Sequence, residues 1–352
     1  MKKSILSRKY RVVTLFLMLL SVIFTFPLRG FAEEGTLNFY VTPEFPDSQV
    51  GGSGGYFDLN LSPGISEKLT LELQNAIDEP IVVAITTHTA YTNVNGVVEY
   101  GKNAEEPDSS LTHSIAELIE TPETIELDGN ETRKITLTLN MPEEEFGGFL
   151  AGGLRLSEVK EEADEEESEG EGLAIKNEFA YVIGVVASNS RDTIQADLDL
   201  LDVFPDQVNY RNVISATIQN FTSTFVNWLE VDASVQRKGE EEILYETSKE
   251  QMQMAPNSHF SFPVSLNGDR FQSGDYVLNL TARSGEEEWS WTEEFTIEAD
   301  EARSLNRQDV TIDSSPNWLL IGSVISIVCL LAIITYLVVQ NRKNKQSQSK
   351  EE

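Results

Sequence analysis

The sequence is poor in the side chains that perform catalysis or bind metals. Its 352 residues include one cysteine, Cys329, and three histidines, at positions 88, 113 and 259. The histidines do not have the spacing of a zinc site, and none lies near the cysteine. The motifs G-x-S-x-G and H-E-x-x-H, typical of serine hydrolases and zinc proteases, do not occur. We therefore predict a non-enzymatic protein with no catalytic, cofactor-binding or metal-binding residues.

Basic residues are also scarce. The chain has 26 Lys and Arg against 58 Asp and Glu, which gives a formal net charge of -32. A surface this acidic repels nucleic acid and anionic lipid, so no nucleic-acid partner is expected. Solubility outside the cell is one explanation of the charge, and affinity for a cationic partner or for divalent ions is the alternative.

An apolar run near each end of the chain predicts its topology. Basic residues precede the first run, and Gly30 and Ala32 stand where signal peptidase requires small residues. Residues 1–32 are thus predicted to be a signal peptide, with an uncleaved anchor helix as the alternative. The uncharged segment 318–339 is long enough to span a bilayer, and the basic tail 340–352 after it belongs in the cytoplasm. The prediction is a single-pass membrane protein whose body lies outside the cell. Because that body has no cysteine, we expect a bacterial protein and not a eukaryotic ectodomain. The tail anchor without a wall-sorting motif indicates a Gram-positive surface.

The body between these ends shows the alternation of β-strands. In KLTLELQN, Leu69, Leu71 and Leu73 share one face, and turn pairs such as Asn95-Gly96 separate this strand pattern from others like it. The strand endings LQN at residue 75 and IQN at residue 220 recur in matching order, which indicates an internal repeat. The predicted fold class is all-β, with two tandem immunoglobulin-like β-sandwich domains followed by one transmembrane helix. The predicted segments are a first sandwich at 36–188, a second at 189–299, a stalk at 300–317, and one short helix or helical turn at 109–120.

The glycine-rich segment GGFLAGGLRL is followed by a dense run of acidic residues. The segment is too apolar for a linker, and its glycines suit a strand that is bulged or closely approached by another backbone. We predict a hairpin whose two apolar arms pair, with the acidic tract as the solvated loop between them. Calcium binding by this tract is the alternative, although the order of an EF-hand loop is absent.

Aromatic residues are the remaining candidates for binding. Trp228, Trp289 and Trp291 are predicted to lie in the sandwich cores, with a ligand platform as the alternative. Tyr91 and Tyr100 bracket the Asn95-Gly96 turn, where exposed rings could stack on sugars. The predicted ligand-binding residues in this hairpin are Tyr91, Asn93, Asn95 and Tyr100.

Several segments resemble the WxL-interacting proteins of Gram-positive bacteria. The resemblance lies in NFYVTPEFPDSQV, GYFDLNLSPGISEKLTLELQN, HTAYTNVNGVVEYG, GGFLAGGLRL and AYVIGVVAS, and in the second half from LDLLDVFPDQ to EEFTIE. It implies a first domain that binds peptidoglycan, a second domain that binds host extracellular-matrix proteins, and a role as a membrane-anchored scaffold for WxL-domain surface proteins. The alternative, from another functional class, is a surface-tethered assembly chaperone or sensor for exported proteins.

Overall fold

The computed structural model describes residues 37–52, 54–159, 179–312 and 322–335. The predicted signal peptide, most of the acidic tract and the basic tail lie outside the described residues. The described part of the predicted transmembrane segment, 322–335, is helical and exposed. Within the described ranges, no helix is long and apolar enough to cross a membrane.

The first sandwich consists of two sheets that enclose an aliphatic core. Its strands are β1 (Phe39–Glu44), β2 (Phe57–Asn60), β3 (Ser66–Asn75), β4 (Ile81–Thr89), β5 (Tyr91–Thr92), β6 (Val98–Glu99), β7 (Ile119–Glu120), β8 (Thr124–Leu127), β9 (Thr132–Asn140), β10 (Leu150–Glu158) and β11 (Ala180–Ser188). One sheet has the order β1-β3-β9-β7 and the other the order β2-β11-β10-β4-β8, while β5 and β6 form a separate hairpin. In β3 the predicted alternation is confirmed, since Leu69, Leu71 and Leu73 are fully buried.

The second sandwich repeats this plan. Its strands are β12 (Leu198–Val208), β13 (Arg211–Asn220), β14 (Val226–Arg237), β15 (Ile243–Met254), β16 (Ser258–Ser265), β17 (Gly274–Ser284) and β18 (Glu287–Ile297). The sheets have the orders β12-β13-β16 and β15-β14-β17-β18. All these strand pairs are antiparallel, and apolar side chains from both sheets form the core. The prediction of an all-β protein is confirmed.

Two buried asparagines show how closely the halves correspond. Asn75 donates to the carbonyls of Glu79 and Asp128, and its side-chain oxygen accepts the backbone N–H of Ile77. Asn220 makes the equivalent three bonds, donating to Thr224 and Ala255 and accepting from the N–H of Thr222. Asn75 thus holds the turn that follows β3, and Asn220 holds the turn that follows β13. The repeat predicted from LQN and IQN is therefore present in the structure.

The arms of the predicted acidic hairpin pair as expected. Strands β10 and β11 are antiparallel neighbours, with Leu150 opposite Ala187 and Ser157 opposite Ala180. The expected close approach at the glycines is also confirmed. A Cβ on Gly153 would lie 2.5 Å from the backbone oxygen of Tyr100, which crosses the outer face of this sheet.

Three local predictions differ from the structure. The short helix or helical turn expected at 109–120 is limited to the single turn α1 (Ile115–Leu118), which leads directly into β7. The stalk expected at 300–317 is wrong over its first part, because α2 (Ala299–Gln308) is a helix packed on the second sandwich, with Ala302 buried.

The third difference concerns the tryptophans. Trp289 and Trp291 pack against the second core as predicted. The core prediction for Trp228 is wrong, since its side chain is 72% exposed.

Candidate functional site

The two sandwiches meet at a junction formed largely by the β5–β6 hairpin of the first sandwich. The hairpin turn lies against the end of β15, where the carbonyl of Gly96 accepts a 2.8 Å hydrogen bond from the N–H of Gln253. Beside it, the buried hydroxyl of Thr92 accepts the N–H of Ala255 at 3.0 Å and contacts the hydroxyl of Ser258 at 2.7 Å. The hairpin therefore joins the two sandwiches through backbone and buried side-chain hydrogen bonds.

Asp108 forms the polar centre of the junction. Its carboxylate accepts hydrogen bonds from the N–H and hydroxyl of Ser110, within the first sandwich, at 2.8 and 2.6 Å. It also accepts bonds from Gln219 and His259 of the second sandwich, each at 2.8 Å. Burial opposes ionisation of this carboxyl, but the bonds from His259, Ser110 and Gln219 outweigh it and lower the pKa of Asp108. The hydrogen bond that His259 donates to Asp108 raises the pKa of His259, against the effect of burial.

An apolar cluster fills the rest of the junction. The rings of Phe149 and Phe225, one from each sandwich, lie 6.0 Å apart between centroids. The backbone N–H of Phe149 donates to the carbonyl of Ser223 at 2.7 Å. At Gly148, whose φ is +79°, a Cβ would lie 2.0 Å from that same carbonyl oxygen. Only glycine fits here, so this glycine permits the contact between the two sandwiches.

The four residues predicted to bind ligand lie in or beside this junction. Asn93 holds the hairpin turn, because its side-chain oxygen accepts the N–H groups of Asn95 and Val97 and its amide donates to Glu99. Asn95 lies in the turn itself. Tyr91 is half-buried with the ammonium of Lys102 5.8 Å from its ring centroid. Whether these three residues bind a ligand stays a prediction.

Tyr100 lines a cavity, and this interdomain cleft is the candidate functional site. The cleft has a volume of about 470 Å3 and lies between the outer face of strand β11 and the β14–β15 end of the second sandwich. Four aromatic rings contribute to its lining, from Tyr56, Tyr100 and Phe149 on one side and Phe225 on the other. Tyr56 is 42% exposed and is therefore accessible to a ligand. Burial raises the pKa of the Tyr100 phenol, which stays protonated as a hydrogen-bond donor.

Polar groups complete the cleft. The guanidinium of Arg191 donates from Nη2 to Asp58 at 2.7 Å and lies 5.5 Å from the ring centroid of Phe149. Its Nε is buried and has no hydrogen-bond partner among the described residues. On the opposite side, the amide of Gln253 donates to Asn227 at 3.0 Å. Aromatic walls with a few fixed polar groups are typical of small-molecule binding sites.

Sequence reasoning identified one cleft residue, Tyr100, and missed the others. Tyr56 directly follows the glycine-rich sequence GGSGG at 51–55, which carries no binding motif. Arg191 lies just after the predicted boundary between the two domains, at 188/189. A domain boundary is a frequent place for ligand pockets, so that position was an available signal.

Two protein-family models match the chain. The model of the WxL Interacting Protein, peptidoglycan binding domain, matches residues 39–158. The model of the WxL Interacting Protein, host binding domain, matches residues 170–307. A comparison with curated proteins finds no match. The second match begins ahead of β11, although this strand completes a sheet of the first sandwich.

Solved structures of chaperones are similar to the chain at low identity. The class 5 fimbriae chaperone CfaA is 15% identical, with 73% of this chain and 98% of that chain covered and a TM-score of 0.31. The YadV chaperone is 10% identical, with coverage of 74% and 100% and a TM-score of 0.29. The E. coli chaperone DraB is 13% identical, with coverage of 74% and 97% and a TM-score of 0.26. With TM-scores this low, these similarities carry no argument about function.

Proposed function

The chain belongs to the WxL-interacting protein family, and from this premise we propose that it is a non-enzymatic surface protein that binds peptidoglycan and displays a protein partner. The family models support a peptidoglycan-binding first half and a host-binding second half. We further propose that it is held in the membrane by residues 318–339 and that WxL-domain proteins are among its partners. The predicted signal peptide and the basic tail support that location.

The observation that carries the wall-binding proposal is the chemistry of the interdomain cleft. Peptidoglycan presents sugar rings, acetamido groups and peptide amides, which need flat apolar surfaces together with hydrogen-bonding groups. The cleft offers exposed Tyr56 beside the Arg191–Asp58 pair and the Asn227–Gln253 amides. Nine of its thirteen lining residues belong to the first sandwich, and six of these nine lie in the range that the peptidoglycan-binding model matches.

Co-sedimentation with purified Gram-positive cell walls tests this proposal. The full-length chain, kept soluble in detergent, should pellet with the walls. Tyr56→Ala should weaken binding about tenfold, the loss of one well-placed aromatic contact. Tyr40→Ala is the matched control, because Tyr40 is similarly exposed, at 48%, but does not line the cleft. Failure of the unmodified chain to pellet would refute wall binding, and equal binding by both variants would place the site elsewhere.

The same experiment addresses partner display. A scaffold remains in the mature complex with its partner, whereas an assembly chaperone leaves it. If the chain bound to walls still retains a purified WxL-domain protein after washing, the scaffold proposal is supported. Release of the partner as soon as it reaches the wall would favour the chaperone alternative instead.

A further inference from the structure

Trp228 combines the greatest exposure with an unfavourable backbone conformation. At 72% its side chain is the most exposed of the large apolar residues in the described ranges. Its φ of +54° lies in the left-handed region, which bulky residues rarely adopt. Within the described residues, the indole has no aromatic, cation–π or hydrogen-bonding partner. Residues in such sparsely populated backbone conformations cluster at functional sites.

A β-bulge produces this conformation. Val226 pairs with Met254 and Leu229 with Met252, so Asn227 and Trp228 together oppose a single residue of β15. Val226 and Leu229 are buried, and the two residues between them therefore both face outward.

Hydrogen bonds hold the bulge on both sides. The carbonyl of Asn227 accepts a 2.7 Å bond from the hydroxyl of Ser284, and its side chain accepts one from Gln253. A second irregularity lies next to it, between the Leu229–Met252 and Val231–Lys249 pairs, where Gln251 has a φ of +60°. The backbone that carries the indole is thus fixed before any ligand arrives.

The bulge also places Trp228 next to the interdomain cleft. Its neighbour Asn227, the opposing Gln253 and nearby Phe225 all line the cleft. Trp228 does not itself line the cleft, but it shares the outward side of the bulge with Asn227, which does, so the indole stands beside the cleft wall. Tyr56 supplies an exposed ring on the first sandwich, so the two exposed rings stand on opposite sides of the domain junction.

We propose that Trp228 extends the interdomain cleft into an oligosaccharide-binding site that is shared by both sandwiches. The indole stacks on the apolar face of a pyranose ring, and the amides of Asn227 and Gln253 bond its hydroxyl or acetamido groups. Flanking Glu230 and Glu250 make this surface acidic, which disfavours anionic ligands and suits a neutral sugar. The inference rests on the proposed wall binding and deepens it, because it assigns a glycan contact to the second sandwich.

The decisive variant is Trp228→Asn in the full-length chain. Asparagine tolerates the left-handed conformation, so the substitution removes the ring while keeping the bulge. Tyr210→Asn is the matched control, since Tyr210 is also left-handed, with a φ of +58°, and 68% exposed, but lies in the β12–β13 turn outside the cleft. Binding is measured by wall co-sedimentation and by isothermal titration calorimetry with soluble N-acetylglucosamine oligosaccharides as the probe.

Trp228→Asn should weaken both forms of binding by roughly five- to thirtyfold, with an unchanged or raised melting temperature. Trp228→Tyr should recover most of the affinity, and Tyr210→Asn should bind like the unmodified chain.

If the unmodified chain pellets and Trp228→Asn pellets equally well, the inference fails while wall binding stands. A fall in melting temperature that accompanies the loss of binding would show the ring to be structural. If Trp228→Asn loses the binding of a protein partner but keeps its affinity for the sugar, Trp228 belongs to a protein interface. This result, or a fall in melting temperature together with the loss of binding, overturns the proposal. If the unmodified chain does not pellet, the proposed function itself fails.

Discussion

Removal of the Asp108 carboxylate should loosen the junction between the sandwiches. In Asp108→Ala, Gln219 loses a charged partner while it is only 7% exposed, which costs about 1–3 kcal/mol for an unsatisfied buried amide. His259 loses its ion pair, but its side chain is 32% exposed and can be partly rehydrated, so this contribution must be discounted. The two bonds from Ser110 stay within one loop and add less. The total loss in free energy of unfolding should be about 2–4 kcal/mol.

Urea denaturation of the purified chain measures this effect. We expect the midpoint of unfolding to fall, and the transition to separate into two steps as the sandwiches lose their coupling. Glu105→Gln is the control, since Glu105 is exposed on the same loop and should change stability by less than about 0.5 kcal/mol. If Asp108→Ala is no more destabilising than this control, the junction does not depend on the Asp108 bonds and the reasoning is wrong.

The pair of Asp108 and His259 predicts that the stability of the junction depends on pH. The pKa of His259 is raised in the folded chain, above its ordinary value of 6.5. Its contribution to stability is therefore fully present below that value and is lost as pH rises through the folded pKa. Asp108 has a lowered pKa, so its own contribution is lost only in strong acid. The junction should be more stable in mild acid than in mild alkali, and Asp108→Ala should remove most of this difference. An equal pH response in the variant would contradict the assignment to this pair.

Two further predictions follow from the sheet that carries the cleft. A fragment of residues 37–159 should be unfolded by circular dichroism and one of residues 37–190 folded, because β11 lies between β10 and β2; a folded shorter fragment would contradict this. Gly153→Ala should lower the free energy of unfolding by about 1–3 kcal/mol in thermal melts, since the new methyl group meets Tyr100 at 2.5 Å. Gly52→Ala meets nothing within 4 Å and should be neutral, so equal melting temperatures for the two variants would refute the close-approach argument.

Local patterns predicted the strands well because one face of each strand is buried. The alternation in β3 and the shared LQN and IQN endings correctly indicated strands and an internal repeat. The helix α2 was missed because polar groups, more than apolar ones, hold it in place. Asp309 accepts the N–H of Asn212 at 2.7 Å, and Asn306 bonds both backbone groups of Phe271. Its apolar residues, Ala299, Ala302 and Leu305, recur three positions apart, so a weak helical periodicity was present in the sequence and was overlooked.

For Trp228, the sequence itself indicated an exposed side chain, but the prediction did not follow that pattern. In NWLEVDA, Leu229 and Val231 alternate with Trp228 and Glu230, so simple parity already places the indole on the outer face with the acid. The general tendency of sandwiches to bury tryptophan was allowed to outweigh that pattern. The bulge that turns Asn227 to the same side could not be read from the sequence, because it depends on pairing with β15.

The Tyr91–Tyr100 hairpin explains why the candidate site was only partly predictable. A turn with flanking tyrosines is consistent with an exposed binding loop when only nearby residues are considered. Its actual surroundings come from Gln253 and Ala255, more than 150 positions later in the chain, and a local pattern carries no information about them. The hairpin still contributes to the site, because the junction that it forms brings Tyr100 and Phe225 to the same cleft. The cleft therefore exists only while the sandwiches are held together. For this reason, Asp108→Ala should also weaken the binding of any ligand that contacts both sandwiches.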